Sequence, residues 1–224
     1  MSLDRRIAVI SGATGVTGSL AARTFAEKGA SLVLLGTDPH RLDLLAADLG
    51  LPPERILTLT VDLTDGPAVF AAARAVDDKF GRTDVLLHLV GGWIGGKTLV
   101  ETPAQDLEHM LRQHLWTTFH LTQAFLPGLI RNNWGRVIVV SSPAAVKPPA
   151  GLGAYAIGKA AQETLQLTLA RETAQTGVTA NILQVRSIDT SGEGKGTPPR
   201  EIVSAILDLC SQDADSTNGE RIAI

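Results

Sequence analysis

The chain has 224 residues, of which 44% are hydrophobic and 19% charged, and its formal net charge is −3. This composition predicts one globular domain with a large core. The sequence has no cluster of Lys and Arg, so we expect no binding to nucleic acid or to an anionic membrane surface. The sequence has no apolar run of the roughly 20 residues that span a membrane, no signal peptide and one cysteine, so we expect a cytoplasmic protein with a small-molecule partner and no metal.

Short apolar runs alternate along the chain with longer segments that have the period of a helix. The runs are predicted strands, and continuous ones such as 7–10 and 137–140 are typical of parallel strands buried on both faces. The predicted strands are 7–10, 32–35, 56–61, 85–89, 137–140, 179–183 and 221–224. The predicted helices are 16–28, 41–49, 67–80, 103–131, 152–176 and 199–211. This alternation predicts an α/β, doubly wound (Rossmann-type) fold, with a seven-stranded parallel sheet and helices on both faces. We expect a single domain over 1–224 that carries both the cofactor site and the substrate site.

A glycine-rich turn, Ser-Gly-Ala-Thr-Gly-Val-Thr-Gly at 11–18, follows the first strand and opens the first helix. Such turns bind phosphate, because glycines let the backbone approach closely and the helix N-terminus presents free N–H groups. A tight strand-to-helix turn without a ligand is the alternative. The candidate cofactor contacts are Gly12, Thr14, Gly15, Val16 and Thr17.

The end of the second strand, Gly36-Thr37-Asp38, bears on the choice of nucleotide. A carboxylate at the strand end would grip the ribose hydroxyls and exclude a 2′-phosphate, but Gly36 stands there. We therefore expect NADP rather than NAD, with Thr37 as a candidate contact. Asp38 and Arg41 are either ribose or phosphate contacts, or cap and solvate the next helix.

Tyr155 and Lys159 are four residues apart at the start of a predicted helix and therefore lie on one face. A neighbouring ammonium stabilises a phenolate and lowers its pKa, which would suit Tyr155 to acid–base chemistry at neutral pH. Ser142 follows the fifth strand, at the sheet edge where ligands bind in open α/β sheets. These three residues are the candidate catalytic group.

The order and spacing of these motifs resemble those of the short-chain dehydrogenases/reductases over nearly the whole chain. Val-Asp-Leu at 61–63 follows the third strand, Gly91 and Gly92 follow the fourth, and Ile-Asp-Thr at 188–190 follows the sixth. The resemblance implies a nicotinamide-dependent oxidoreductase. Ser142 would hydrogen-bond the substrate carbonyl, Tyr155 would transfer the proton, and Lys159 would bind the nicotinamide ribose and tune Tyr155.

The same resemblance assigns further cofactor contacts and an oligomeric state. Asp62 and Leu63 would lie at the adenine, the Val90-Gly91 backbone along the adenosine ribose, and Ile188 and Thr190 at the carboxamide. It also implies a homodimer or homotetramer that pairs the helices 103–131 and 152–176.

The sequence departs from the family at four places. Val16 stands where single-domain members have glycine, and His88-Leu89 replaces two asparagines, for which we expect a packing substitution. His114 replaces an asparagine that fixes a helix kink and a proton-relay water, so His114 either keeps the relay or only packs in the helix. Val185-Arg186 replaces the usual Pro-Gly, and the loop 191–199 that follows is short.

Gly-Gly-Trp at 91–93 resembles a loop of the dihydropteridine reductases, a branch of this family. Trp93 would then stack on a flat heterocycle such as a pteridine, or it only seals the pocket wall. A second reading of the whole chain is a nicotinamide-nucleotide-sensing binding protein with weak or no catalysis, which the His114 replacement and the short loop favour. Cys210 falls in an apolar helical pattern and is predicted to be buried.

Overall fold

Seven parallel strands form one sheet in the computed structural model, which describes residues 2–211 and 214–224. The strands are β1 (Ile7–Ser11), β2 (Ser31–Gly36), β3 (Ile56–Thr60), β4 (Val85–His88), β5 (Gly135–Ser141), β6 (Val178–Gln184) and β7 (Arg221–Ala223). They are arranged in the order β3-β2-β1-β4-β5-β6-β7. The order reverses between β1 and β4, and ligands bind at this kind of switch point in open α/β sheets.

The helices are α1 (Val16–Glu27), α2 (Pro39–Leu49), α3 (Gly66–Phe80), α4 (Ala104–Leu111), α5 (Thr117–Arg131), α6 (Gly153–Glu172) and α7 (Pro199–Leu209). Buried residues of α1, α2 and α7 pack on one face of the sheet, and those of α3, α5 and α6 pack on the other. The predicted doubly wound fold is confirmed. Two 3₁₀ turns, Pro53–Arg55 and Pro143–Ala145, were not predicted.

Some predicted boundaries are wrong for local reasons. Helix α2 begins at Pro39 rather than at residue 41, because the Asp38 carboxylate caps it by accepting a hydrogen bond from the Arg41 backbone N–H at 3.2 Å. Helix α6 ends at Glu172, four residues before the predicted end.

The predicted helix 103–131 contains a π-helical turn, Arg112–Trp116, between α4 and α5. The hydroxyl of Thr117 donates to the Gln113 carbonyl at 2.7 Å, and that of Thr118 donates to the His114 carbonyl at 2.6 Å. Hydroxyl bonds of this kind satisfy carbonyls that a widened turn leaves without a regular helical partner. Such turns are frequent at functional sites.

Alternate residues of each central strand enter opposite cores. Ala8 and Ile10 of β1 face the α1/α2/α7 side, whereas Ile7 and Val9 face the α3/α5/α6 side. Cys210 is buried as predicted, and burial raises the pKa of its thiol to about 12, so the thiol stays protonated. Among the residues described, no helix has both the length and the apolar character needed to cross a membrane.

Candidate active site

The turn between β1 and α1 has the geometry of a phosphate-binding loop. Gly12 has a φ of +69°, and a Cβ there would lie 3.1 Å from the backbone of Leu89. A Cβ on Gly18 would collide with the Gly12 carbonyl oxygen, so this position accepts only glycine without a backbone shift. Helix α1 has Gly15 as its N-cap and no side-chain cap, which leaves its first N–H groups free for an anion.

A cavity of about 230 Å³ opens beside this turn, between the carboxyl ends of β1, β2 and β3. The Asp62 carboxylate lines it and accepts two bonds from Thr64 at 2.8 Å, from the backbone N–H and the hydroxyl, which lower the pKa of Asp62. Six predicted cofactor residues line this cavity: Gly12, Thr14, Thr37, Asp62, Leu63 and Val90. Gly15, Val16 and Thr17 lie at the adjoining start of α1, outside the lining.

Arg41 closes one side of the glycine turn. Its guanidinium donates a hydrogen bond to the backbone carbonyl of Thr14 at 2.5 Å. The Asp38 carboxylate is engaged in capping α2, so of the two roles open to Asp38 the structure shows the capping one. A positive charge therefore borders Thr14, and Asp38 is turned to its own helix.

A second cavity, of about 500 Å³, lies between the ends of β4, β5 and β6 and the start of α6. Seven predicted site residues line it: Val90, Gly91, Trp93, His114, Tyr155, Lys159 and Ile188. Ser142 is buried next to this wall, close enough to Tyr155 for its hydroxyl to lower the pKa of the phenol. Thr190 is exposed and lines neither cavity. The structure thus brings the three candidate catalytic residues together.

The phenol of Tyr155 is held in its protonated form. Burial raises the pKa of Tyr155, and the hydrogen bond with Ser142 offsets only part of that rise. The expected lowering of this pKa by Lys159 is therefore wrong. Desolvation outweighs the effect of the neighbouring groups, and the result favours Tyr155 as a proton donor.

The ammonium of Lys159 is buried beneath the cavity floor. It donates to the Val140 carbonyl at 2.8 Å and to the Gln162 side-chain oxygen at 3.0 Å. Burial lowers the pKa of Lys159 to about 7, although the charge of Glu163 acts in the opposite direction. Lys159 is thus poised to titrate near neutral pH.

His114 occupies the middle of the π-helical turn and faces the same cavity. Its Nε2 is 3.1 Å from the carbonyl oxygen of Gly92, which can only accept, so Nε2 carries the proton. Its Nδ1 is buried and has no partner among the described residues. Burial, followed by the charge of Lys159, lowers the pKa of His114 to about 3, which keeps the ring neutral.

These features fit a nicotinamide dinucleotide. A glycine turn without room for side chains leads into a helix N-terminus that no side chain caps. The first cavity opens beside this turn, and the second adjoins the first at Val90. A Cβ on Gly91 would lie 3.4 Å from the His114 ring and 3.8 Å from Lys159 Nζ, so this backbone passes close over both side chains.

Comparison with known proteins decides the family. The family model described as short chain dehydrogenase matches residues 6–199. The chain belongs to the short-chain dehydrogenase family. It is therefore an oxidoreductase that acts on CH–OH or C=O groups and uses NAD(P).

Several relatives cover most of this short-chain dehydrogenase. Oxidoreductase UcpA of Escherichia coli is 33% identical over 81% of this chain and 68% of its own. The 3-oxoacyl-(acyl-carrier-protein) reductase of Vibrio cholerae is 26% identical over 100% of this chain and 97% of its own. A solved structure of a putative short chain dehydrogenase from Pseudomonas syringae is 29% identical, with a TM-score of 0.90 over 99% of this chain and 95% of its own.

In this short-chain dehydrogenase, the imidazole of His88 links β4 to β1 and to α5 by hydrogen bonds. His88 Nδ1 is 2.7 Å from the Ser11 hydroxyl on β1, and its Nε2 is 3.0 Å from the Thr117 hydroxyl at the start of α5. Burial is the main cause that lowers the pKa of His88 to about 3. At position 88 the expected packing substitution is therefore a neutral imidazole that forms a hydrogen bond through each of its two ring nitrogens.

The residues 189–198, which we call the rim loop, follow β6 at the edge of the second cavity. The Asp189 carboxylate accepts bonds from the backbone N–H groups of Gly192 and Gly194, both at 2.8 Å. The Asp189 N–H in turn donates to the Thr197 carbonyl at 3.0 Å. The rim loop is closed on itself and leaves the cavity open.

Some residues of the site were missed from the sequence. Gln113 and Thr64 line the first cavity, Arg186 and Ser187 line the second, and Gln162 holds Lys159. A π-helical turn places Gln113, and helical spacing from Lys159 would have pointed to Gln162. Arg186 was noted only as a departure from the family pattern, although its charge at a strand end was a signal for a site residue.

Proposed function

We propose that the chain is an NADP-preferring carbonyl reductase or alcohol dehydrogenase for a small substrate, with Tyr155 as its proton donor and acceptor. The observation that carries this proposal is the half-buried phenol of Tyr155, which lines a cavity of about 500 Å³ together with Lys159 and stays protonated because burial raises its pKa. The ring of His114 meets that of Tyr155 edge-on, with 5.6 Å between centroids, and limits its movement.

In the reducing direction, the phenol of Tyr155 donates its proton to the carbonyl oxygen while the carbonyl carbon accepts a hydride. The C=O π bond breaks, C–H and O–H bonds form, and solvent reprotonates the phenolate. The nicotinamide, when bound, supplies the hydride and accepts it in the reverse reaction. Ser142 holds the carbonyl oxygen, and Lys159, one helical turn from Tyr155, binds the nicotinamide ribose.

We assign His114 a positioning role rather than a catalytic one. Its Nε2–H holds the Gly92 carbonyl, and its unpartnered Nδ1 offers an acceptor to a water. A water bound there, near Lys159, would keep a proton path that the missing asparagine provides in the family.

The preference for NADP rests on the charges at the end of β2. Gly36 carries no carboxylate to repel a 2′-phosphate, Asp38 is engaged in capping α2, and Arg41 stands beside Thr14. Thr37 lines the same cavity and adds a hydroxyl. We infer that Arg41 contacts the 2′-phosphate.

We also propose that two or four copies associate through α5 and α6. An apolar groove of about 580 Å³ lies between α3, α5 and α6, and Phe70, which is 40% exposed, lines it together with Phe119 and Leu165. Exposed apolar surfaces of this kind are typical of subunit interfaces. Light scattering at micromolar concentration tests this, because a monomer there contradicts it.

The function is tested by incubating the protein with NADPH or NADH and a panel of ketones, quinones and quinonoid dihydropterin. Tyr155→Phe removes the phenolic proton but keeps the ring, so turnover should fall by at least about a hundredfold while cofactor affinity changes little. Full turnover by Tyr155→Phe would exclude the assigned mechanism.

One observation favours a flat heterocycle, such as a pteridine, as the substrate. The Trp93 indole is 62% exposed and lines the second cavity, where a planar ring has room to stack on it. Reduction of quinonoid dihydropterin that Trp93→Ala abolishes would support this substrate. Tight nicotinamide binding in calorimetry without turnover on any substrate would instead favour a nucleotide-sensing protein.

A further inference from the structure

Arg186 brings a positive charge to the cavity that holds Tyr155 and Trp93. It follows β6 by two residues, lines the second cavity and is exposed. Within residues 2–211 and 214–224, its guanidinium makes no hydrogen bond and no ion pair, although its five N–H groups are all donors. The charge is thus free for a ligand.

The backbone on both sides of Arg186 is fixed. The Val185 N–H donates to the Ser141 carbonyl at 3.0 Å, and the Ser187 carbonyl accepts from the Thr197 N–H at 2.9 Å. These bonds tie Arg186 to β5 on one side and to the rim loop on the other. A residue anchored in this way loses less backbone entropy when its side chain orders on a ligand.

The wall of the second cavity, as far as the structure describes it, has no acidic side chain to neutralise the charge of Arg186. Among the described residues that line it, none is Asp or Glu, and its other cationic group is Lys159. The nearest carboxylate in sequence, Asp189, is already held by the N–H groups of Gly192 and Gly194. His114 stays neutral, so it adds no charge at pH 7.

We propose that Arg186 recognises an anionic group on the substrate, so that the enzyme acts on carbonyl compounds that carry a carboxylate or a phosphate. The planar guanidinium binds either group with two parallel hydrogen bonds. Tyr155 and Arg186 lie on different walls of one cavity, formed by α6 and by the segment after β6. A substrate that places its carbonyl at Tyr155 would direct its anionic end to Arg186. This proposal rests on the proposed reductase function and specifies its substrate class.

The experiment compares matched substrates with and without the negative charge. Acetoacetate is paired with methyl acetoacetate, and dihydroxyacetone phosphate with dihydroxyacetone, each with NADPH and the full chain. The wild type should favour one charged member, and Arg186→Leu should lower kcat/KM for it by about 10- to 100-fold while changing the uncharged member by less than about threefold. Arg186→Lys, which keeps the charge but loses the planar fork, should retain part of the preference. Arg74→Leu, the same change on α3 outside the cavity, is the matched control.

Binding of simple anions gives a readout that does not need turnover. Malonate and inorganic phosphate are titrated by calorimetry into the NADP⁺-bound protein, and binding of one of them to the wild type should be lost in Arg186→Leu but not in Arg74→Leu. Comparison of the malonate and phosphate titrations shows whether Arg186 binds a carboxylate or a phosphate.

Three results would overturn the proposal. The first is an equal kcat/KM for charged and uncharged substrates, and the second is a fall in kcat/KM that Arg186→Leu causes equally for both. The third is a rise in the Kd of NADP⁺ that accounts for the whole fall in kcat/KM, because Arg186 would then bind the cofactor. Absence of any turnover contradicts the proposed function. In that case anion binding that depends on Arg186 still supports this site, and its absence refutes it.

Discussion

His114 and Gly92 are joined by a hydrogen bond from Nε2 to the carbonyl oxygen at 3.1 Å, which fixes the tautomer of a buried ring beside Tyr155. The bond ties the π-helical turn to the loop after β4, and both residues line the second cavity. It also leaves Nδ1 as the only ring nitrogen available to a water.

Replacing His114 should separate packing from proton transfer. His114→Leu leaves the Gly92 carbonyl without its donor and should lower the free energy of unfolding by about 1–3 kcal/mol. His114→Asn keeps a side-chain N–H donor and should cost less. Urea unfolding measures both, and pH profiles of kcat test the relay. If His114→Leu kept the wild-type profile, the water at Nδ1 would have no part in turnover.

Two buried neutral histidines predict acid sensitivity. His88 and His114 have pKa values of about 3 in the folded protein, whereas an unperturbed imidazole has 6.5, so the unfolded chain binds more protons between these limits. Stability is fully present above pH 6.5 and falls as the pH drops, by about 2 kcal/mol per histidine at pH 5. Urea unfolding at pH 7.5 and 5 should show a smaller loss for His88→Asn than for the wild type. An equal loss would mean that His88 is protonated in the folded state.

Lys159→Met should abolish activity yet stabilise the fold in acid. The pKa of Lys159 is about 7 in the folded protein and 10.5 for an unperturbed lysine, so the cost of burying the ammonium is largest below pH 7 and shrinks as the pH rises. The stability advantage of Lys159→Met over the wild type should decrease by about 2–3 kcal/mol between pH 6 and pH 9. Thermal unfolding at the two pH values measures this stability difference. A difference that did not change with pH would contradict a lowered pKa for Lys159.

Tyr155 is the only tyrosine of the chain, which makes its pKa directly measurable. Burial raises this pKa above 10.0, the value of an unperturbed tyrosine. The ultraviolet absorbance change on phenolate formation should therefore have its midpoint above 10, and Ser142→Ala should raise it further by removing the one hydrogen bond that lowers it. A midpoint near neutral pH in the cofactor-free protein would show that Lys159 already dominates.

Arg41 should determine the preference for NADP. Arg41→Ala should raise the Kd of NADP⁺ by about tenfold, because one charge-assisted contact to the 2′-phosphate is lost. The Kd of NAD⁺, which has no such phosphate, should stay within about twofold. Calorimetry with Arg74→Ala as the matched charge control measures the difference. An equal rise in the Kd of both nucleotides would mean that Arg41 only supports the glycine turn and does not contact the 2′-phosphate.

The sequence predicted the architecture because its periodicities are strong. Apolar runs such as Ile7–Ser11 are buried along their whole length, and their order along the chain is enough for a doubly wound sheet. Helix ends were less accurate, because they depend on local bonds such as the cap that Asp38 provides to α2.

The sequence predicted which residues meet in the candidate site, but not how burial shifts their pKa values. Spacing brought Ser142, Tyr155 and Lys159 together, but the pKa of Tyr155 is raised rather than lowered, because burial is a property of the assembled fold. The brace from His88 to Ser11 and Thr117 joins segments 77 and 29 residues away, which no local pattern reveals.

The self-contained rim loop has a consequence for which molecules can be substrates. The N–H groups of Gly192 and Gly194 donate to the Asp189 carboxylate within the loop, and these bonds hold the loop compact at the edge of the cavity. An uncovered mouth means that only the part of the substrate inside the cavity has to be small. The reacting end of a much larger molecule can enter while the remainder stays in solvent, and selection then depends on the few groups that reach Tyr155, Trp93 and Arg186.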